Sequence, residues 1–93
     1  MANRIMTLHP EGKEGVNIDT AKYEQIKDSI LGVLDGQEPM PFNDLMAAVK
    51  SDLDGKFDGS VSWYLTTVKL DLEARGMLRC KRGRGPQLIS LAL

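Results

Sequence analysis

The sequence predicts a small α+β domain, mainly α, with three helices followed by a C-terminal two-stranded β-hairpin. Two observations carry this. Apolar residues recur at helical spacing behind a capping side chain in three stretches, and the last stretch, MLRCK then GRGP then QLISLAL, alternates at period two around a tight turn. At 93 residues the chain has enough apolar surface for one core and nothing to divide. Residues 1–17 read as an N-terminal arm, and residues 18–93 as the single domain.

The first helix is announced by Asp19, whose carboxylate can accept free backbone N–H groups, and by Ile18, placed to staple onto Tyr23. Tyr23, Ile26, Ile30, Val33 and Leu34 follow at helical spacing and Gly36 supplies the stop, so the helix spans roughly residues 20–34. GQEPMPF holds two prolines without backbone donors and supports at most a short extended edge piece. Asn43 is the expected cap of a second helix with Leu45, Met46, Val49 and Leu53 on its apolar side. DGKFDG is a loop by its glycines and aspartates. Ser60 caps the third helix, which ends at Gly76 and carries Val61, Leu65, Val68 and Leu72 on one narrow stripe. In the hairpin, Leu78 with Cys80, and Ile89 with Leu91 and Leu93, share the inward phase.

Composition narrows the classes of function. The chain is 42% hydrophobic and 27% charged, which suits a globular protein rather than a disordered one. No apolar run approaches the ~20 residues needed to cross a bilayer, and MANRIMTLHPEGKEG lacks the apolar segment of a signal peptide, so a cytoplasmic location is expected. One cysteine forms no intrachain disulfide. The net charge is only −1, but it is segregated: residues 1–78 hold eight Lys/Arg against thirteen Asp/Glu, net −5, and residues 79–93 hold four against none, net +4. Such separation orients a protein on a polyanion even when its total is acidic.

The order helix, short extended piece, helix, loop, helix, hairpin resembles the winged-helix fold, a form of helix-turn-helix. VSWYLTTVKLDLEARGMLRCKRG is similar to the third helix, glycine stop and first wing strand of bacterial winged-helix regulators. HPEGKEGVNIDTAKYEQIKDSIL together with WYLTTVKLDLEARG resembles a small bacterial family of unknown function. The winged-helix resemblance implies DNA binding, as in a transcriptional regulator, with the third helix in the major groove and the wing beside the phosphates.

On the third helix, Ser62, Thr66, Lys69 and Glu73 share a polar face. The first three can donate to phosphate, while Glu73 would be repelled and no Arg, Asn or Gln is present to read bases. The alternative is a merely solvated face. Arg79, Lys81, Arg82 and Arg84 make the hairpin tip the stronger candidate for phosphate contact, against the alternative of an edge that uses cations to discourage strand pairing. Trp63, Thr67, Leu70 and Ala74 form a second, semi-apolar stripe. Either the arm covers it with Ile5, Met6 and Leu8, or a second subunit or other protein does, which is the runner-up function: a protein-interaction module without DNA binding.

Catalysis finds no footing. HPEGKEG lacks the Walker spacing, and His9 is the only histidine, so no metal site, cofactor or small-molecule ligand is expected. Cys80 shares the phase of Leu78 and reads as an inert core thiol. Asp52, Asp54 and Asp58 are expected in a loop with no apolar pocket to separate their acidities. The expected function is non-enzymatic binding.

Overall fold

The computed structural model describes residues 3–13, 15–83 and 85–92. In chain order the elements are β1 (Arg4–Met6), β2 (Asn17–Asp19), α1 (Thr20–Leu34), β3 (Met40–Pro41), α2 (Phe42–Asp52), α3 (Val61–Ala74), β4 (Leu78–Lys81) and β5 (Leu88–Leu91). The fold is α+β and mainly helical, with two small antiparallel sheets: β1 beside β2, and β3, β5 and β4 in that order.

The helix ends follow from local chemistry. Asp19 accepts the Ala21 N–H at 3.1 Å and Ser60 Oγ accepts the Trp63 N–H at 3.2 Å, so α1 and α3 start where their caps require. Gly76, at φ 78°, turns the end of α3 so that its own N–H reaches the Glu73 carbonyl and the Met77 N–H reaches the Leu72 carbonyl, satisfying two orphan acceptors. The expected cap at Asn43 is not formed. Helix α2 begins two residues earlier than that cap implies, at Phe42 after Pro41, and has no side-chain cap. The Phe42 N–H instead donates to the Gln87 carbonyl at 2.9 Å, so the backbone next to β5 does what a capping side chain would have done.

The three helices pack on one another around Ile26, Ile30, Leu45, Val49, Leu65, Val68 and Leu72, and Ile89 of β5 closes the core from the sheet side. Val61 is only partly buried at the margin of that stripe. The proline-rich piece is β3, an edge strand where Pro41 costs no ladder bond, paired to β5 at Met40↔Ile89 and Pro41↔Leu88. Hairpin register sets Leu78 opposite Leu91 and Cys80 opposite Ile89, with Arg79 and Lys81 in the outward phase. Leu93 lies outside the described residues.

The arm forms a hairpin of its own. Thr7 clamps its base: the Thr7 N–H and Oγ1 both donate to the Val16 carbonyl (2.8 and 3.1 Å), and Oγ1 accepts the Val16 N–H (2.9 Å). Gly15 sits so close that a Cβ there would lie 1.8 Å from the Thr7 carbonyl oxygen, which no side chain can satisfy. The arm then docks on α3, where the Leu8 N–H donates to Asp71 Oδ1 at 2.8 Å.

Asp71 is wholly buried. Its other oxygen accepts a short hydrogen bond from the Tyr23 hydroxyl of α1 and the Arg75 Nε–H at 2.8 Å. Burial, then the neighbouring Asp71 carboxylate, pushes the Tyr23 hydroxyl well above its ordinary range, so the phenol stays protonated in the folded state. Stability from this group is complete below the ordinary tyrosine value near 10 and is lost as pH rises past it, because the unfolded chain then releases a proton that the native state keeps. In denaturant titrations, Tyr23→Phe should show a shallower alkaline fall in stability than the wild type. Asp71→Ala should cost about 2–3 kcal/mol by stranding the Tyr23 and Leu8 donors, and Arg75→Ala, which leaves the Asp71 carboxylate buried without its counter-ion, should cost about as much.

Candidate nucleic-acid interface

The β4–β5 hairpin presents its cations as its strand phase requires. Arg79 and Lys81 stand exposed on β4, and Arg82 follows at the start of the turn with about half its side chain in solvent. The Arg82 Nη1 lies 4.0 Å from Glu11 Oε1 at the tip of the arm, an open surface pair that a phosphate can displace. Arg84 lies outside the described residues. Hairpin tip and arm tip are therefore neighbours, with Glu11 beside Arg82 among the described residues.

The polar face expected on α3 does not hold as a unit. Thr66 is exposed and its hydroxyl donates to the Ser62 carbonyl at 3.0 Å, and Ser62 is half-buried. Lys69 is a correction: it is 4% exposed, and its ammonium is held by Glu73 Oε2 at 3.0 Å and Gln87 Oε1 at 3.0 Å, over the Phe42 ring at 5.4 Å. The physical reason is tertiary: Gln87, just before β5, and Phe42, at the start of α2, reach this side of α3, so a position that a bare helical wheel assigns to solvent becomes a buried ion pair. Glu73 is nearly buried with it, and apart from this ion pair its Oε2 has no hydrogen-bond partner among the described residues. It is thus an internal counter-ion to Lys69 rather than a free charge on the outer face.

Cys80 is half-buried against the core, in the expected phase, and its thiol donates to the same Gln87 oxygen at 3.3 Å. The second stripe of α3 is divided. Thr67 and Leu70 lie under the arm, where Thr7, Leu8, His9, Gly15 and Val16 join them around an open, largely apolar cavity of about 160 Å³. Ala74 is half-buried. Trp63, one turn before Thr67, is left 47% exposed, so the arm covers the stripe only in part. The Trp63 ring stands edge-on to Tyr64 (centroids 4.9 Å), which stands edge-on to Phe57 (5.1 Å), and Lys22 Nζ lies 5.4 Å from the Tyr64 centroid. Gly59, at φ 129° with the Tyr64 ring 3.2 Å from where a Cβ would sit, gives this aromatic group its room.

Sequence reasoning missed Asp71, Arg75, Gln87 and Lys22. Asp71 did carry a signal: it falls between the core stripe and the Trp63–Ala74 stripe, where a solvated carboxylate has no place. Gln87 and Lys22 carried none, because their partners come from other elements. Among the described residues no group of three or more His, Cys, Asp or Glu could hold a metal ion, and no helix is long and apolar enough to cross a membrane.

The chain matches the model of a family of unknown function (DUF6958) over residues 4–89, from the first residue of β1 to the middle of β5, and it belongs to that family. No curated protein and no solved structure matches it.

Two outcomes check this geometry. Lys69→Ala should destabilise the fold by about 2–3 kcal/mol, since it leaves Glu73 buried without its counter-ion, yet leave the salt dependence of any polyanion binding unchanged. Cys80 should react slowly with an alkylating reagent in the native protein and fast in denaturant.

Proposed function

We propose that this domain is a winged helix that binds nucleic acid without catalysing a reaction, with the β4–β5 hairpin as its wing. The fold reading is supported by element order, α1, β3, α2, α3, β4, β5, and by β5 lying between β3 and β4 so that the hairpin is tied to the helices. The observation that carries the binding reading is the wing itself: Arg79, Lys81 and Arg82 are exposed together, and residues 79–93 contain no carboxylate. Such cations release condensed counterions on meeting phosphates, which drives binding independently of sequence. Ser62 and Thr66 are positioning contacts at the start of α3, and Lys69 is withdrawn from the interface. The reading is non-enzymatic because the deepest carboxylate, Asp71, is saturated by three donors in a structural role. Transcriptional regulation is the extension of this reading suggested by bacterial winged-helix regulators.

The apolar exposure of Trp63 supports a second reading. With Met6, Leu8 and Val16, also exposed, it offers a surface on which two copies could pair or a different protein could dock.

Three neutralised phosphates predict that log affinity falls against log salt with a slope of about −3 for duplex DNA, and the acidic body holds affinity to about 10⁻⁴–10⁻⁶ M. Exchanging Lys81 and Arg82 for Ala should flatten the slope by about two units without unfolding the domain, and exchanging both for Glu should abolish binding. An unchanged slope in the Ala pair would remove the wing from the interface. The second reading would be favoured instead by a dimer in sedimentation that Trp63→Ala converts to a folded monomer.

A further inference from the structure

Three features lie along one strip of surface. At one end are the wing cations, with Arg82 beside the arm tip. In the middle, Leu8 and His9 of the arm and Thr67 and Leu70 of α3 form the apolar cavity. At the other end Trp63 stands exposed at the start of α3, about 10 Å along the helix axis from Leu70. A further cation, Lys22, lies over the ring of Tyr64, which the indole meets edge-on. The strip thus begins in positive charge and ends in an aromatic ring held edge-on by its neighbour. Among the described residues Glu11 is the carboxylate paired with Arg82, and this open pairing would yield to a phosphate.

This arrangement is poorly shaped for a duplex. Insertion into a major groove about 12 Å wide needs a bare helix. Here the arm lies over α3 at Thr67 and Leu70, anchored by the Leu8 N–H on Asp71, and Lys69 faces inward. What α3 leaves exposed on its outer side is Trp63 and Thr66, and an indole has one donor and no base-reading edge. An exposed ring in line with phosphate-binding cations instead matches the requirement of an unpaired strand, whose bases are free to stack.

Resting on the nucleic-acid reading above, we infer that the form bound is single-stranded, its phosphates on Arg79, Lys81 and Arg82 and one unpaired base stacked on Trp63. Trp63 is the only tryptophan, so intrinsic fluorescence reports this contact without a label. The experiment titrates the full chain at low salt with oligo(dT) of about a dozen nucleotides and with a duplex of equal length. Tryptophan emission should be quenched by the single strand, which should bind about tenfold more tightly than the duplex. By anisotropy of a labelled oligo(dT), Trp63→Ala should weaken binding about tenfold and Trp63→Phe, which keeps a ring, by much less. Circular dichroism melting would show both variants folded. Equal affinity for both forms with unchanged emission, or full single-strand affinity in Trp63→Ala, would overturn the inference and leave wing binding standing. If neither form binds at ~50 mM salt, the nucleic-acid reading itself fails.

Discussion

One carboxylate ties three parts of this molecule together. Asp71 belongs to α3, takes its hydroxyl partner from α1, its guanidinium partner from the end of its own helix and its amide partner from the arm. A fully buried ion is expensive to desolvate, and it is tolerated here because every donor is aimed at it. The benefit lies less in net stability than in position: Ile5 packs the arm against the core and pairs with buried Ile18, and the Leu8 contact adds the polar point that fixes the arm on α3.

The second buried ion acts in the same way on the other flank. Lys69 and Glu73 pair one turn apart, and Gln87 brings the hairpin into the pair through its side chain while its carbonyl starts α2. The hairpin is therefore anchored to the body by polar contacts. Surface cations on such a base keep a defined direction, which a flexible basic tail would lack.

Much of the fold was legible because it is written locally. Asp19 and Ser60 cap the helices they precede, Gly76 closes α3, and the alternation of Leu78, Cys80, Ile89 and Leu91 gives the hairpin its phase. Asn43 misled because a capping side chain signals a helix start only when no backbone carbonyl from elsewhere fills the role, and Gln87 is far away in sequence. Lys69 misled for a related reason: a wheel distributes residues around one helix and cannot show that Gln87 and Phe42, from other parts of the chain, cover the side it calls polar. The arm was legible as something needing a place, from Ile5 and Leu8. Its docking point was not, because that depends on one backbone amide meeting a residue 63 positions later. The aromatic group around Trp63 belongs to the same kind, since Phe57 and Lys22 reach it from a loop and another helix.

The hairpin tip and the helical body carry opposite charge in separate places. Glu24, Asp28, Asp44 and Asp52 stand exposed on α1 and α2, while the exposed charges of β4 and its turn are all positive. The molecule is electrically two-ended although its net charge is only −1 and its isoelectric point is near 5.7. At neutral pH an anion-exchange resin would hold it by its helices and a cation-exchange resin by its β4–β5 hairpin, each in a different orientation. Its retention in chromatography would accordingly report which end faces the matrix, and the titration that defines its isoelectric point would be a poor guide to the buffer in which it elutes.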